Sequence, residues 1–131
     1  MNRINAIITA IESVDNINIV TFLAGSQNMC MMSLELNSQL SVGSKVVIGA
    51  KATHIAIAKE LSGELSISNQ LGVIIEDMTL GELLCSIKFQ FNGALIESII
   101  TKTSALNMQL QVGSEMTALI KSSELSIVEI L

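Results

Sequence analysis

The chain has no proline, tryptophan or tyrosine, and only three phenylalanines and one histidine. Each shortage removes a class of function. Proteins that grip single-stranded nucleic acid stack bases on aromatic side chains and line the backbone path with Lys and Arg. Here seven basic residues face twelve acidic ones, for a net charge of −5, so direct nucleic-acid binding is not expected. A lone His with no clustered Cys or second His offers neither a metal-ligand set nor a nucleophile–base pair, which argues against an enzyme. Cys30 and Cys85 lie far apart in apolar, strand-like segments without CxxC spacing, and read as buried thiols. Long apolar runs are missing too: no segment reaches the roughly 18 residues of a membrane helix. The opening MNRINAIITAIES lacks the apolar core and cleavage site of a signal peptide. A cytoplasmic protein with no membrane insertion is the expectation. We have no account of the missing proline in a chain so rich in turns.

What the chain does have is apolar surface. Half of its 131 residues are hydrophobic and only 15% are charged, with a mean hydropathy of +0.60. A globule of this size has little interior relative to its surface, so a homo-oligomer, a trimer or a dimer-based assembly, is expected.

The sequence also repeats itself. LNSQLSVGS (Leu36–Ser44) returns as LNMQLQVGS (Leu106–Ser114), with seven of nine positions identical. Val42–Ala58 lies over Val112–Val128 without a gap, which sets Lys51 on Lys121, Ala52 on Ser122, Thr53 on Ser123 and His54 on Glu124. Upstream, Asn28–Ser33 fits Ile96–Thr101 at a shift of 68, so that Ser33 stands where Thr101 stands and two residues are missing from the first copy near Leu34–Glu35. A repeat near 65 residues is too long for a solenoid unit and points to duplication of a whole small domain.

Both copies read as β. Apolar runs of strand length cover Ile17–Leu23, Leu83–Phe91, Val112–Lys121 and Ser123–Ile130, and glycines 25, 43, 81, 93 and 113 fall between runs. Met29, Met31 and Met32 sit in such a run as core or interface filling, and His54 reads as a surface or interface residue. Thr101–Ser104 supplies capping hydroxyls ahead of a short helix in SALNMQL, whereas Asn37–Leu40 in the first copy allows a single turn. The expected fold is all-β: two tandem OB-like Greek-key barrels of about five strands, each with one short helix. Lys59–Ser66 is the linker, giving domains 1–60 and 61–131.

Four segments of the second copy, SISNQL (Ser66–Leu71), GELLCSI (Gly81–Ile87), IITKTS (Ile99–Ser104) and LQVGSEMTALIKSSEL (Leu110–Leu125), resemble in order and spacing the molbindin (Mop) domains of the TOBE group. The family's Ser-Ala-Arg-Asn-x-Leu motif corresponds to Ser66, Ile67, Ser68, Asn69, Gln70 and Leu71; its Ile-Lys-Ala-Ser segment corresponds to Ile120–Ser123. The resemblance implies a cytoplasmic binder of molybdate or tungstate with sites shared between copies or subunits. The chain has no helix-turn-helix or Walker segment, and so resembles the storage or homeostasis type. A sensing module for a regulator or importer, and a TOBE pair without ligand, are the competing readings.

The chemistry suits a tetrahedral dianion, which accepts hydrogen bonds and donates none. Backbone N–H groups at helix starts, hydroxyls and a Lys ammonium are its natural partners. Expected donors in the second copy are Ser66, Ile67, Ser68 and Asn69, then Thr101 and Ser104, then Lys121, Ser122 and Ser123. In the first copy they are Ser33, Lys51, Ala52 and Thr53. Ser68 stands at the family's Arg and lacks its bidentate charge. The first copy is less complete, so unequal sites are expected.

Overall fold

A computed structural model describes all residues, Met1–Leu131. Eleven strands alternate with one short helix and two single 3-10 turns. In copy one they are β1 (Asn2–Val14), β2 (Ile17–Ala24), β3 (Gln27–Ser33), β4 (Lys45–Ala50), a 3-10 turn at Ala52–His54, and β5 (Ile55–Ala58). In copy two they are β6 (Asn69–Ile74), β7 (Asp77–Leu80), β8 (Leu84–Phe91), β9 (Ala94–Thr101), helix α1 (Lys102–Asn107), β10 (Glu115–Ile120), a second 3-10 turn at Ser122–Glu124, and β11 (Ser126–Ile130).

The strands follow from period-2 alternation of buried and exposed positions. In β1, Asn2, Ile4, Ala6 and Ile8 point inward while Arg3, Asn5 and Ile7 face out. In β6, Asn69, Leu71 and Val73 repeat that pattern. The tight hairpin turns need left-handed backbone: Asn92-Gly93 has φ of 49° and 78°, and Asp15-Asn16 has 51° and 67°, the pattern of a type I′ hairpin.

Copy two has six strands because the counterpart of β1 is broken. In copy one the strand passes Ile8 with a register shift between Ile8 and Ala10. At the equivalent point of copy two the chain leaves β6 at Ile74 and resumes as β7 at Asp77. The corner itself is conserved in both: Ile8 and Ile75 each donate to a serine carbonyl (Ser44, Ser114) and accept from a glycine N–H (Gly43, Gly113).

The sheets cut across the sequence repeat. Their orders are β11-β4-β1-β2-β3, β5-β10-β6 and β7-β8-β9. After β4 the chain does not fold back on β4. It turns at Ala52–His54 and crosses to pair β5 with β10 of copy two, while β11 returns to pair with β4 of copy one. Each barrel is thus completed by the other copy's last strand. One continuous core results, with Ile4, Phe22 and Ile48 of copy one in the same cluster as Leu71, Phe89 and Ile120 of copy two.

Four expectations from the sequence are corrected. Burial and turn positions align β3 with β9 at a shift of 67, not 68: Met29 matches Ile96, and Phe22 opposite Met29 matches Phe89 opposite Ile96. The first copy therefore lacks three residues rather than two, and the counterpart of Thr101 is Leu34, not Ser33. The helix starts earlier than expected, at Lys102, because Thr101 is its N-cap. The run Ser123–Ile130 is a strand only from Ser126, since a 3-10 turn occupies Ser122–Glu124. The short helix expected in copy one is absent: three residues are missing there, and only the turn closed by Leu40 N–H to Asn37 O at 3.0 Å, the counterpart of the chain just after α1, remains.

Candidate functional site

Strand register brings two of the predicted segments together. Asn69 pairs with Ile120 across the antiparallel β6–β10 ladder, so Ser68, just before β6, and Lys121, just after β10, lie at the same end of that ladder. In copy one the same ladder pairs Asn2 with Ala50, which identifies Asn2 as the counterpart of Asn69 and places Met1 beside Lys51.

Asn69 is fully buried, and its amide is already occupied. Its Oδ1 accepts from Cys30 N–H at 2.7 Å, and its Nδ2 donates to Cys30 O at 2.8 Å and to Ile120 O at 2.9 Å. No amide hydrogen is left for a ligand, so Asn69 stitches β6 to β3 of the other copy and positions the residues before it. Asn2 makes the mirror-image stitch to β9: Nδ2 to Glu97 O and Glu97 N–H to Oδ1, both at 2.8 Å. The sequence offered a signal for this role, a polar residue at an inward position of an alternating strand.

The two 3-10 turns are close counterparts. Lys51 and Lys121 precede them in extended conformation (φ −68°, ψ 144°; φ −62°, ψ 141°). Each turn closes on its lysine: His54 N–H to Lys51 O at 2.9 Å, Glu124 N–H to Lys121 O at 2.8 Å. Neither has a side-chain cap, so N–H groups at the start of each turn, those of Ala52 and Ser122 first, have no capping oxygen. Lys51 and Lys121 take no part in the Arg3–Glu129 ion pair or the His54–Glu124 contact. Each turn thus presents a solvent-facing ammonium, uncapped N–H groups and a hydroxyl: Thr53 in one, Ser122 and Ser123 in the other.

Each turn packs on a strand of the opposite copy, Ala52–His54 against β9 and Ser122–Glu124 against β3. The strand after the first turn is pinned there by the buried Ser98, whose hydroxyl donates to Ile55 O at 2.6 Å; this anchor was missed from sequence. Because β9 leads into Thr101, the hydroxyls of Thr101 and Ser104 belong to the end of copy two that adjoins the copy-one turn. They are partly used locally. Thr101 Oγ1 accepts from Ser104 N–H at 3.1 Å and donates to Ser104 Oγ at 2.9 Å, leaving the Ser104 hydroxyl hydrogen free.

Around the other turn the surroundings differ. Ser33 ends β3 and lines, with Ser123, a groove of about 520 Å³ whose walls include Met31, Met32, Leu36, Leu125 and Ile127. The groove lies where copy one lacks a helix. Ser33 Oγ is tied to the backbone of Glu35 as donor and acceptor. Ser33 and Ser123 thus line one groove, Ser68 and Lys121 lie at the same end of the β6–β10 ladder, and the Ala52–His54 turn packs on β9, the strand that leads into Thr101 and α1. Elsewhere, burial raises the Cys85 thiol above its usual pKa, as a packing role requires, and no three His, Cys, Asp or Glu side chains cluster as a metal site. No helix is long and apolar enough to cross a membrane.

Comparison with known proteins fits this architecture. No curated protein sequence matches the chain. The crystal structure of the cytoplasmic molybdate-binding protein ModG, with molybdate bound, superposes with a TM-score of 0.90 over 96% of this chain and 94% of that one, at 24% identity. Residues 65–127 match the TOBE domain model. The second copy is thus similar to the TOBE domain over most of its length, and the whole all-β chain shares the fold of ModG.

Proposed function

We propose that this protein binds molybdate or tungstate, as an intracellular store or buffer of the oxyanion rather than as an enzyme. The observation that carries the reading is the pair of Lys-led, uncapped 3-10 turns, each seated against a strand end of the opposite copy. A dianion there accepts from backbone N–H groups, from Thr53 or from Ser122 and Ser123, and from Lys51 or Lys121. Such charge-assisted bonds are the strong ones. The TOBE match and the shared fold with a molybdate-bound protein support the choice of anion.

On this reading the two sites are unequal. The Lys121 site gathers Ser66, Ile67 and Ser68 through main-chain and hydroxyl donors, with Asn69 holding them in place. The Lys51 site draws on Thr101 and Ser104 from copy two. Homo-oligomerisation, as a trimer or dimer-based assembly, supplies further groups to sites left open on one side.

Calorimetric titration of the purified protein with molybdate, tungstate and sulfate, backed by elemental analysis, tests the proposal. Micromolar or tighter binding of molybdate or tungstate is expected, in two unequal phases. Absence of binding by both metal oxyanions overturns it.

A further inference from the structure

The contacts between copies come in reciprocal pairs. Asn69 on Cys30 mirrors Asn2 on Glu97, and β5 on β10 mirrors β11 on β4. Such reciprocity defines an approximate two-fold axis, as in an isologous dimer. Equivalent residues lie 67 apart before the helix position and 70 apart after it. A residue that touches its own equivalent must lie on the axis, and the structure has two such contacts. At one, His54 Nδ1 is 2.8 Å from Glu124 Oε2, and Glu124 is the equivalent of His54. At the other, Gly25 meets its equivalent Asn92: a Cβ on Gly25 would stand 2.6 Å from Asn92 Oδ1. Asn92 is held there by its own bond, Nδ2 to Asn5 O at 3.1 Å.

Between identical copies an axial contact sets like against like. Two glutamates there repel, and two asparagines at the hairpin contact overlap. This chain instead sets an imidazole against a carboxylate within hydrogen-bond distance at one contact and a small residue against a larger one at the other. The two turns differ: Asn92-Gly93 has positive φ at both positions, whereas Gly25-Ser26 has it at Gly25 alone, 62°, the type II′ pattern that favours Gly at its first position. Gly25 therefore suits its own turn as well as the contact, and the contact itself does not accept Asn twice.

We infer that these two pairs form a pairing code through which copy one accepts a copy two as its partner and like copies are disfavoured. The partner comes from the same chain or, by exchange of β5 and β11, from a second one. Specificity of this kind rests on the cost of the wrong pair as much as on the gain of the right one. Its consequence is that turns and strand ends of unlike copies always meet. The inference rests on contacts and equivalences alone and stands whether or not an oxyanion binds.

The test is a pair of double-mutant cycles on the full chain, read by thermal unfolding without added oxyanion. His54→Glu is expected to lower the melting temperature by about 3–6 °C and Gly25→Asn by about 2–5 °C. Reversing the first pair, His54→Glu with Glu124→His, should recover most of the loss; reversing the second, Gly25→Asn with Asn92→Gly, should recover the share due to overlap and leave the cost of Asn in the Gly25 turn. Strictly additive losses in both reversed pairs would overturn the code, because each side chain would then act on its own surroundings and not on its equivalent. Should His54→Glu alone fail to fold, a cooperative transition in the reversed pair supports the code and its absence counts against it.

Discussion

Copy one carries its first strand through Ile8 on a register shift and loses its helix. Copy two breaks the strand after Ile74 and keeps α1. The conserved parts are the inward alternation, the glycine corners and the lysine-led turns; the divergent parts are the loops that approach the turns from the opposite copy. Each copy's turn therefore reports on the other copy's loop. The turn in copy one faces the better-equipped loop, with Thr101 and Ser104. The turn in copy two faces a shortened loop and a groove. On the proposed function, one duplicated plan has diverged into two different half-sites.

The largest expected effect contrasts the two stitches. Asn69→Ala leaves Cys30 N–H and two carbonyls without partners in the interior and should cost about 3 kcal/mol of unfolding free energy. Asn2→Ala removes two bonds at a slightly more open position and should cost about half as much. Denaturant unfolding of both variants ranks them, and the reverse order would show that the halves do not lean on each other as the hydrogen bonds indicate.

Much of this architecture was legible beforehand. The repeated LNxQLxVGS phrase, the alternation in Ile17–Leu23 and Leu83–Phe91, and the hydroxyls ahead of SALNMQL gave the duplicated all-β plan and the helix of copy two; the helix expected in copy one as well is only a turn. The exchange of last strands was not legible, for a physical reason. IAIA in β5 and SIVEI in β11 state that strands exist and which positions are inward. Backbone ladders do not depend on side-chain identity, so either strand suits β4 or β10. The shift of 67 was hidden because no identical residues mark β3 against β9; only burial and hairpin geometry fix it. A motif names Asn69 without saying which of its side-chain hydrogens are already committed to Cys30 and Ile120.

The next contrast is between the two lysines. Hydrogen bonds to a charged group are worth about 1.5–3 kcal/mol, so Lys121→Met should weaken one phase of molybdate binding by about 10–100-fold and leave the other in place. Lys51→Met should do the converse. If both variants weaken a single common phase, the two turns serve one site and the division drawn above is wrong.

A smaller effect separates the helix that copy two kept from the loop that copy one shortened. Thr101→Ala removes an N-cap and should cost about 1 kcal/mol of stability. It should also weaken the Lys51 phase by a few-fold, with the Lys121 phase unchanged. Leu34, the counterpart in copy one, is exposed and caps nothing. Leu34→Ala should therefore stay within about 0.5 kcal/mol of the parent protein. Equal losses from the two substitutions would mean that the shortened loop has kept a structural role the hydrogen bonds do not reveal.

The smallest effect is that of salt, and it bears on both turns at once. A net charge of −5 repels a dianion at long range, but screening at physiological ionic strength acts over about 8 Å. Donors at contact distance are little affected over that length, while the diffuse repulsion is. Affinity for molybdate should therefore tighten slightly, or stay level, as a non-competing salt rises from low to physiological concentration, and the association rate should rise. The better-equipped turn, with more direct donors, should show the flatter response. A steep loss of affinity with salt in calorimetry would mean that the anion is held by a few exposed charges, and would remove the backbone N–H groups of the two turns from the account of binding.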